Sequence, residues 1–453
     1  MLLLAAFAVL QAYRLAERVS GRSVAMAATI CFALYPVFFA QSSLAHADLP
    51  ASALTLWGLR IYFADPQKKW LWALAFALAT LAKEIAVVTP LALIGWELFS
   101  LWMGMKLARK AAASAVPSSG SWAKSVAFKN AVTLLFAMIP LVLWFGYHYQ
   151  QTGYLLGNPE YFRYNVAATL SPLRVLLALV QRTWQIFGYM NLWILTLLTA
   201  AAMLFPPLSD DGTARPRIAI PVQIAFAAII AANVLFHSLV GGAELARYVM
   251  VTIPLVIIIA VSTLRRRLHR WKLAVAFVCV TFVTAWFVNP PFRFAPEDNL
   301  AYSDFVRLQQ HAIEFISARH PKYRVLTAWP ASDELSHPYL GYVASPIRMV
   351  RIENFSMEQI TLAKQNADYD AALVFSTKYE PTRRFLNWKF WEESNARFFD
   401  YHRDLNAEAI AQLLGGRIVM QEWKKGQWVA VLEFDRIRNA GWIDDRPKKN
   451  EAP

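Results

Sequence analysis

Residues 246–290 read ARYVMVTIPLVIIIAVSTLRRRLHRWKLAVAFVCVTFVTAWFVNP. Two apolar runs, at about 246–263 and 272–289, flank a loop that carries Arg265, Arg266, Arg267, Arg270 and Lys272. Each run has the roughly 17–22 residues that a helix needs to cross a bilayer core. Neither keeps a polar face for water. Beyond Pro290 charged residues return every few positions and apolar runs shorten to about five residues, the texture of a water-soluble segment. The stretch therefore holds the last two membrane spans, the most basic loop between them, and the main domain boundary.

Further runs of the same kind lie towards the N-terminus, at about 2–13, 23–41, 47–63, 70–82, 85–104, 128–147, 187–206 and 218–236. The fourth is short, and is read as tilted or merged with the fifth. The expected fold class is an all-α polytopic membrane domain of about ten spans (1–290), followed by a small soluble α/β domain (291–443) and a disordered tail (444–453). Composition agrees: of 453 residues 57% are hydrophobic and only 17% charged, with a mean hydropathy of +0.34. Soluble domains carry nearer a quarter charged residues.

The net charge of +14 raises nucleic acid as a partner, but its distribution argues against one. Much of the basic charge sits in short loops: Arg14, Arg18 and Arg22; Lys68 and Lys69; Lys106, Arg109, Lys110, Lys124 and Lys129; Arg215 and Arg217; and the 265–272 cluster. The alternating loops 41–48 and 237–244 hold no lysine or arginine. By the positive-inside rule the basic loops are cytoplasmic, and the others, with everything after Pro290, face out. The first run then starts outside with only Met1 before it, without the basic start and cleavage site of a signal peptide. This leads to the expectation of a truncated or degenerate copy lacking a first helix and first outer loop. Cys31 and Cys279 lie within apolar runs and read as small packing residues, and no Cys/His cluster has metal-ligand spacing.

Ionisable residues at the outer ends of spans are candidate functional groups, because charge near membrane depth is costly. His46 and Asp48 stand at one outer mouth, where Asp48 equally suits a helix N-terminus. Lys83 and Glu84 form an adjacent pair that also reads as snorkelling at the interface. Arg247, with Glu244 and Tyr248, suits bidentate capture of a phosphate, or else charge compensation of Glu244 or Asp48. The long outer segment 147–185, with Tyr147, His148, Tyr149, Tyr154, Tyr161, Arg163, Tyr164, Arg174 and Arg182, reads as an interfacial helix with aromatic-belt residues. No Walker or dinucleotide fingerprint occurs. Cations and carboxylates on the outer face suit a transferase that uses a membrane-anchored activated donor.

Residues 14–25 (RLAERVSGRSVA), Leu34-Tyr35-Pro36 through Leu44-Ala45-His46-Ala47-Asp48, Leu78-Ala79-Thr80-Leu81-Ala82-Lys83-Glu84, and Arg247-Tyr248 before Pro254 occur in an order that resembles the GT-C glycosyltransferases. More narrowly the chain resembles the dolichyl-phosphate-mannose protein mannosyltransferase superfamily, with its bacterial aminoarabinose and galacturonic acid transferases of lipid A. The resemblance is clearest over residues 8–100. It implies a helical membrane domain, often with a soluble C-terminal domain, and transfer of a sugar, with inversion, from a polyprenyl-phosphate donor to a lipid, glycan or protein acceptor at the bilayer. Asp48 and His46 are then catalytic, Lys83 and Arg247 hold the donor phosphate, and Glu84, Glu244 and Tyr248 support them. A divalent metal ion is left open and no other cofactor is implied. The family's acid in the first outer loop has no counterpart in this chain, so Asp48 would have to serve as the base. The rival readings are a transporter or flippase of lipid-linked sugars, and a non-catalytic remnant of the family.

After Pro290 the expected elements are a helix at 303–320, strands at 323–328 and 371–375, a helix at 407–414 stopped by Gly415-Gly416, and a hairpin over 418–434. Asp333-Glu334 lie at a strand end, suited to ligand contact or to a solvated loop. Trp388, Phe390, Trp391, Phe398, Phe399 and Tyr401 form an aromatic cluster for sugar stacking or for packing on the membrane domain.

Overall fold

The computed structural model describes residues 1–112, 120–155, 171–210, 212–240, 245–366, 368–379, 381, 389–399 and 403–434. The expected tail 444–453, with Glu244, Tyr161, Arg163, Tyr164, Trp388 and Tyr401, lies outside them. The chain divides into two compact units, Met1–Tyr302 with Pro381–Tyr401, and Ser303–Glu380 with His402–Pro453.

The first unit is helical, and each of the ten apolar stretches falls on helix. The elements are α1 (Leu2–Ser20), α2 (Arg22–Leu34), α3 (Pro36–Gln41), α4 (Asp48–Ala64), α5 (Lys69–Ala82), α6 (Val88–Ala112), α7 (Gly120–Phe136) and α8 (Ile139–Thr152). They continue with α9 (Pro172–Phe187), α10 (Leu192–Met203), α11 (Ile220–Leu239), α12 (Ile253–Arg267) and α13 (Trp271–Phe287). A two-residue ladder, β1 (Ser209–Asp210) with β2 (Thr213–Ala214), closes the α10–α11 connection. Among the described residues, five segments are long and apolar enough to cross a membrane: 84–103, 126–152, 172–203, 220–239 and 246–267. α2, α5 and α13 are shorter apolar helices. The chain is a multi-pass membrane protein.

Prolines break several spans that the sequence reads as continuous. Tyr35 is extended (φ −61°, ψ 125°) before Pro36, dividing 23–41 into α2 and α3, because a residue preceding proline is driven out of the helical region. The 128–147 run likewise breaks between α7 and α8, ahead of Pro140. Gly21 joins α1 to α2 at φ 82°, a conformation that strains any residue with a Cβ.

α1 packs on α2 and α4, α4 on α5, and α12 on α2. Gly58 lets α4 and α5 approach: a Cβ there would stand 2.8 Å from Phe76 Cε1. Both ends of this pair have consequences for function. α4 starts at Asp48 and ends towards Lys68 and Lys69, whereas α5 starts at Lys69 and ends beside Lys83. The basic turn and the candidate residues thus occupy opposite ends of the same two helices. Cys31 and Cys279 face each other with their Sγ atoms 3.5 Å apart, in thiol hydrogen-bond contact and not joined as a disulfide.

The second unit contains α14 (Ala301–Arg319, which begins in the first unit), β3 (Val325–Ala328), α15 (Ala331–Ser336), β4 (Met349–Ile352), α16 (Met357–Gln365) and β5 (Ala371–Phe375). It ends with α18 (Ala407–Leu414), β6 (Arg417–Lys424) and β7 (Gln427–Glu433); α17 (Lys389–Phe398) belongs to the first unit. The sheet order is β4-β3-β5-β7-β6, with β4, β3 and β5 parallel and the β6–β7 hairpin antiparallel. β3 and β5 are buried at every position, as central parallel strands covered on both faces are. The expected strands, helices and hairpin are all present. Asp333 and Glu334 sit in α15 rather than in a loop, and Glu334 is buried, with its carboxyl raised to about 7 by loss of solvent.

Candidate active site at the helix ends

Four separated segments meet at one end of the membrane helices. Asp48 opens α4, Lys83 follows the last residue of α5 in an extended conformation, Arg247 and Tyr248 lie in a 3-10 segment (Ala246–Thr252) before α12, and Glu297 lies in a 3-10 turn (Pro296–Asp298) after α13. The Lys83 ammonium donates to Asp48 Oδ1 at 2.5 Å. Arg247 Nε stands 3.2 Å from Asp48 Oδ2. One carboxylate thus bridges two cations. Its side chain is only 4% exposed, so the charges interact in a medium far less polar than water. No side-chain cap forms at the start of α4, so Asp48 contributes through its ion pairs.

Arg247 also pairs through Nη1 with Glu297. The sequence reading does not single out Glu297, although its context carries a signal: an acidic pair, Glu297-Asp298, on a proline-rich turn just beyond the last span. Gln41, fully buried at the end of α3, ties the new members together. Its Nε2 donates to the Glu297 carbonyl at 3.2 Å, and its Oε1 lies 2.6 Å from His46 Nδ1. With the amide so oriented, Nδ1 carries the hydrogen. The other ring nitrogen, Nε2, then faces Glu297 Oε2 at 4.0 Å. Burial first, and then Arg247, lower the His46 pKa, against Asp48, which raises it, so the imidazole is neutral near pH 7.

Tyr248 lies under the cations, its ring centroid 4.1 Å from Lys83 Nζ and 5.6 Å from the Arg247 guanidinium carbon, close enough for cation–π attraction. Burial lowers the Lys83 pKa, Asp48 opposes that shift, and the nearby charge of Glu84 opposes it further. Asp298, the neighbour of Glu297, is buried and accepts a hydrogen bond from the Tyr189 hydroxyl at 2.7 Å; burial raises its pKa to about 7. The structure therefore brings His46, Asp48, Lys83, Arg247 and Tyr248 together, with Glu84 beside Lys83, and adds Gln41, Glu297 and Asp298.

α9 holds the flank in place. Arg174 donates to the carbonyls of Ser238 (2.8 Å) and Val240 (3.3 Å) at the C-terminal end of α11, where orphan acceptors need donors. Arg182 donates to Gln185 (2.7 Å) and to the Leu245 carbonyl (3.0 Å), two residues before Arg247. The exposed residues of α9 include Leu173, Leu176, Val180 and Trp184, while both arginines are buried. That arrangement suits an apolar surround.

Lys83 and Arg247 stand against the carboxylates, and among the described residues no three His, Cys, Asp or Glu side chains converge as a metal-ligand group. The donor set does not fit a divalent cation. A second buried carboxylate, Glu97 in α6, accepts from Asn130 Nδ2 at 2.8 Å and from the Tyr62 hydroxyl. It lies 13 residues along the chain from Glu84, about 20 Å of helix at 1.5 Å per residue.

No family model and no curated protein sequence matches the chain. The fold is similar to that of a solved structure. The crystal structure of ArnT from Cupriavidus metallidurans in the apo state superposes with a TM-score of 0.47 at 13% identity, over 95% of this chain and 82% of that one.

Proposed function

We propose that the chain is a membrane glycosyltransferase, working on the outer face of a bacterial inner membrane with a polyprenyl-phosphate-linked sugar as donor and a lipid, glycan or protein as acceptor. The observation that carries the reading is the convergence of Lys83 and Arg247 on Asp48, at the helix ends opposite the basic turn at Lys68 and Lys69. A donor that keeps its lipid in the bilayer presents its phosphate at this depth. There a lysine and an arginine fork stabilise the charge that develops on the departing phosphate oxygen, which is electrostatic catalysis of the oxyanion-hole kind. Asp48 contributes by holding both cations in register before the donor arrives. The resemblance of the motifs around Asp48, Lys83 and Arg247 to GT-C transferases supports the same roles, with inversion at the anomeric carbon.

The test is transfer of labelled sugar from polyprenyl-phosphate donors by the full chain in nanodiscs. Asp48→Asn and Arg247→Ala should each reduce transfer at least ~100-fold while the protein remains inserted, a loss on the scale of one lost oxyanion donor. Activity indifferent to both would sink the assignment. A flippase is the second reading, favoured by the buried Glu97, since a carboxylate inside a span is a usual mark of a transport path. It requires lipid-linked sugar to cross proteoliposome membranes without bond cleavage, and Glu97→Gln to stop it.

A further inference from the structure

We propose that Glu297 is the base that activates the acceptor, and that before the donor binds it occupies the place on Arg247 that the donor phosphate takes. The proposal rests on the glycosyltransfer reading above and names a catalytic residue for it.

The two carboxylates around Arg247 are not equivalent. Asp48 is 4% exposed, belongs to the first turn of a long helix, and has both oxygens committed, one to Lys83 and one to Arg247. Glu297 is 19% exposed and sits on a three-residue turn between α13 and α14. Displacing Asp48 would break two ion pairs and leave Lys83 buried without its partner. Displacing Glu297 breaks one. The Arg247 fork is moreover divided between the two acids, and neither Nε nor Nη1 makes an aligned hydrogen bond to its carboxylate. A phosphate offers two oxygens in the plane of the guanidinium and fills the fork better.

Room points the same way. The cavity lined by Asp48, Thr55, Lys83, Asn233, Arg247 and Tyr248 measures about 20 Å³. That is space for one water and far less than a phosphate needs. A donor phosphate therefore reaches these cations only by replacing a group already on them. His46 is the most open side chain of the cluster at 32% exposure, with Glu297 at 19% next to it, and the route we assign to the ligand passes on their side.

Charge closes the cycle. Lys83 and Arg247 against Asp48 and Glu297 make a neutral set. A polyprenyl phosphodiester donor brings one negative charge, and Glu297, released from Arg247 but still anchored through Gln41, becomes a free carboxylate at the entry side. It takes the proton as the acceptor O–H bond breaks. The acceptor oxygen bonds to the anomeric carbon, and the bond from that carbon to the phosphate oxygen breaks with its electron pair going to the phosphate. Before the step the donor carries one negative charge and Glu297 one. Afterwards the phosphate carries two and Glu297 none. His46, with its hydrogen held on Nδ1 by Gln41, turns the Nε2 lone pair towards Glu297 and offers the proton a way out to solvent.

The experiment measures two quantities on the full chain in nanodiscs: binding of unglycosylated polyprenyl phosphate, and transfer from the labelled donor. Glu297→Gln should bind polyprenyl phosphate about tenfold tighter than wild type and transfer at least ~100-fold more slowly, the usual scale for a lost general base. Glu297→Ala should recover several-fold with added formate, a small carboxylate that replaces the base and that a structural defect would not answer to. Glu297→Asp, which keeps the charge and protects against a folding failure, should fall between. Weaker or unchanged phosphate binding by Glu297→Gln, transfer near the wild-type rate, or no response to formate would each overturn the proposal while leaving the transferase reading intact. Absence of transfer by wild type from every donor would overturn both.

Discussion

Replacing Asp48 by asparagine should cost the fold about 3 kcal/mol, and most of that loss should vanish as an independent effect once Lys83 is also replaced by methionine. At an effective dielectric of about 20, an ion pair at the observed 2.5 Å is worth about 7 kcal/mol and one at 3.2 Å about 5 kcal/mol. Taking three ions out of water returns several kcal/mol for each, so the net worth of the cluster is small beside these gross terms. Its disruption is not small. In Asp48→Asn two buried cations lose their shared counter-charge; Arg247 keeps its pair with Glu297, and Lys83 keeps only the weaker influence of Glu84. In Lys83→Met, Asp48 still has Arg247 and the loss should be near 1–2 kcal/mol. The double variant has no uncompensated lysine and should be no less stable than Asp48→Asn alone. The coupling between the two positions is then about 2 kcal/mol, well above the few tenths typical of an exposed pair.

Denaturant unfolding of the detergent-solubilised chain measures all four species. It also supplies a pH signature. Burial already lowers the Lys83 pKa and Asp48 is the largest force resisting it, so in Asp48→Asn that pKa falls further below its unfolded value. Between the two values the unfolded chain binds more protons, and stability rises with pH. The gap between Asp48→Asn and wild type should therefore be widest near pH 7 and should narrow towards pH 10. A coupling below about 0.5 kcal/mol would mean that the cluster behaves as exposed pairs do and would refute the reasoning.

Asp298 gives the opposite pH dependence. Its carboxyl rises from 3.8 unfolded to about 7 in the fold because it is buried, so the folded chain holds the extra proton. Its contribution is present at low pH and declines as pH rises from about 4 through about 7, by at most about 4 kcal/mol. Asp298→Asn keeps an acceptor for Tyr189 and should flatten the stability profile between pH 5 and 8; an unchanged slope would exclude Asp298 as its source. Gly58→Ala should cost about 1–3 kcal/mol by forcing a methyl against Phe76. It should also slow transfer, since α4 and α5 carry Asp48 and Lys83. Phe76→Leu in the same chain should restore both, and failure to do so would mean that Gly58 serves some purpose other than close helix approach.

The membrane helices were legible because a span leaves a local mark: each run is apolar on all sides, as only lipid or a wholly buried core permits. The breaks carry a local mark too, at Pro36 and Pro140, but the length of an apolar run does not register it. Asp48, Lys83 and Arg247 could be picked out because each stands, alone or with one neighbouring acid, against a long apolar run. Glu297 could not, because it lies where charge is common again and has no local reason to stand out. Its role depends on Gln41 and Arg247, which are 256 and 50 positions away. β4 was hidden for a related reason: at the sheet edge it is only partly buried, and Arg351 interrupts its apolar pattern. β3 and β5, buried throughout, were plain.

The same contrast explains why the candidate site is assembled as it is. Bilayer-spanning helices can present charge cheaply only at their ends, so a site that needs two cations at membrane depth must gather them from the ends of different helices. Gathered alone, they would repel each other and desolvate at a loss. Asp48, fixed at the start of α4, is the permanent counter-ion. A second, permanent counter-ion would leave nothing for a phosphate to bind. A carboxylate on a short turn after the last membrane helix, as Glu297 is, neutralises the pair while the site is empty and can leave when the donor arrives.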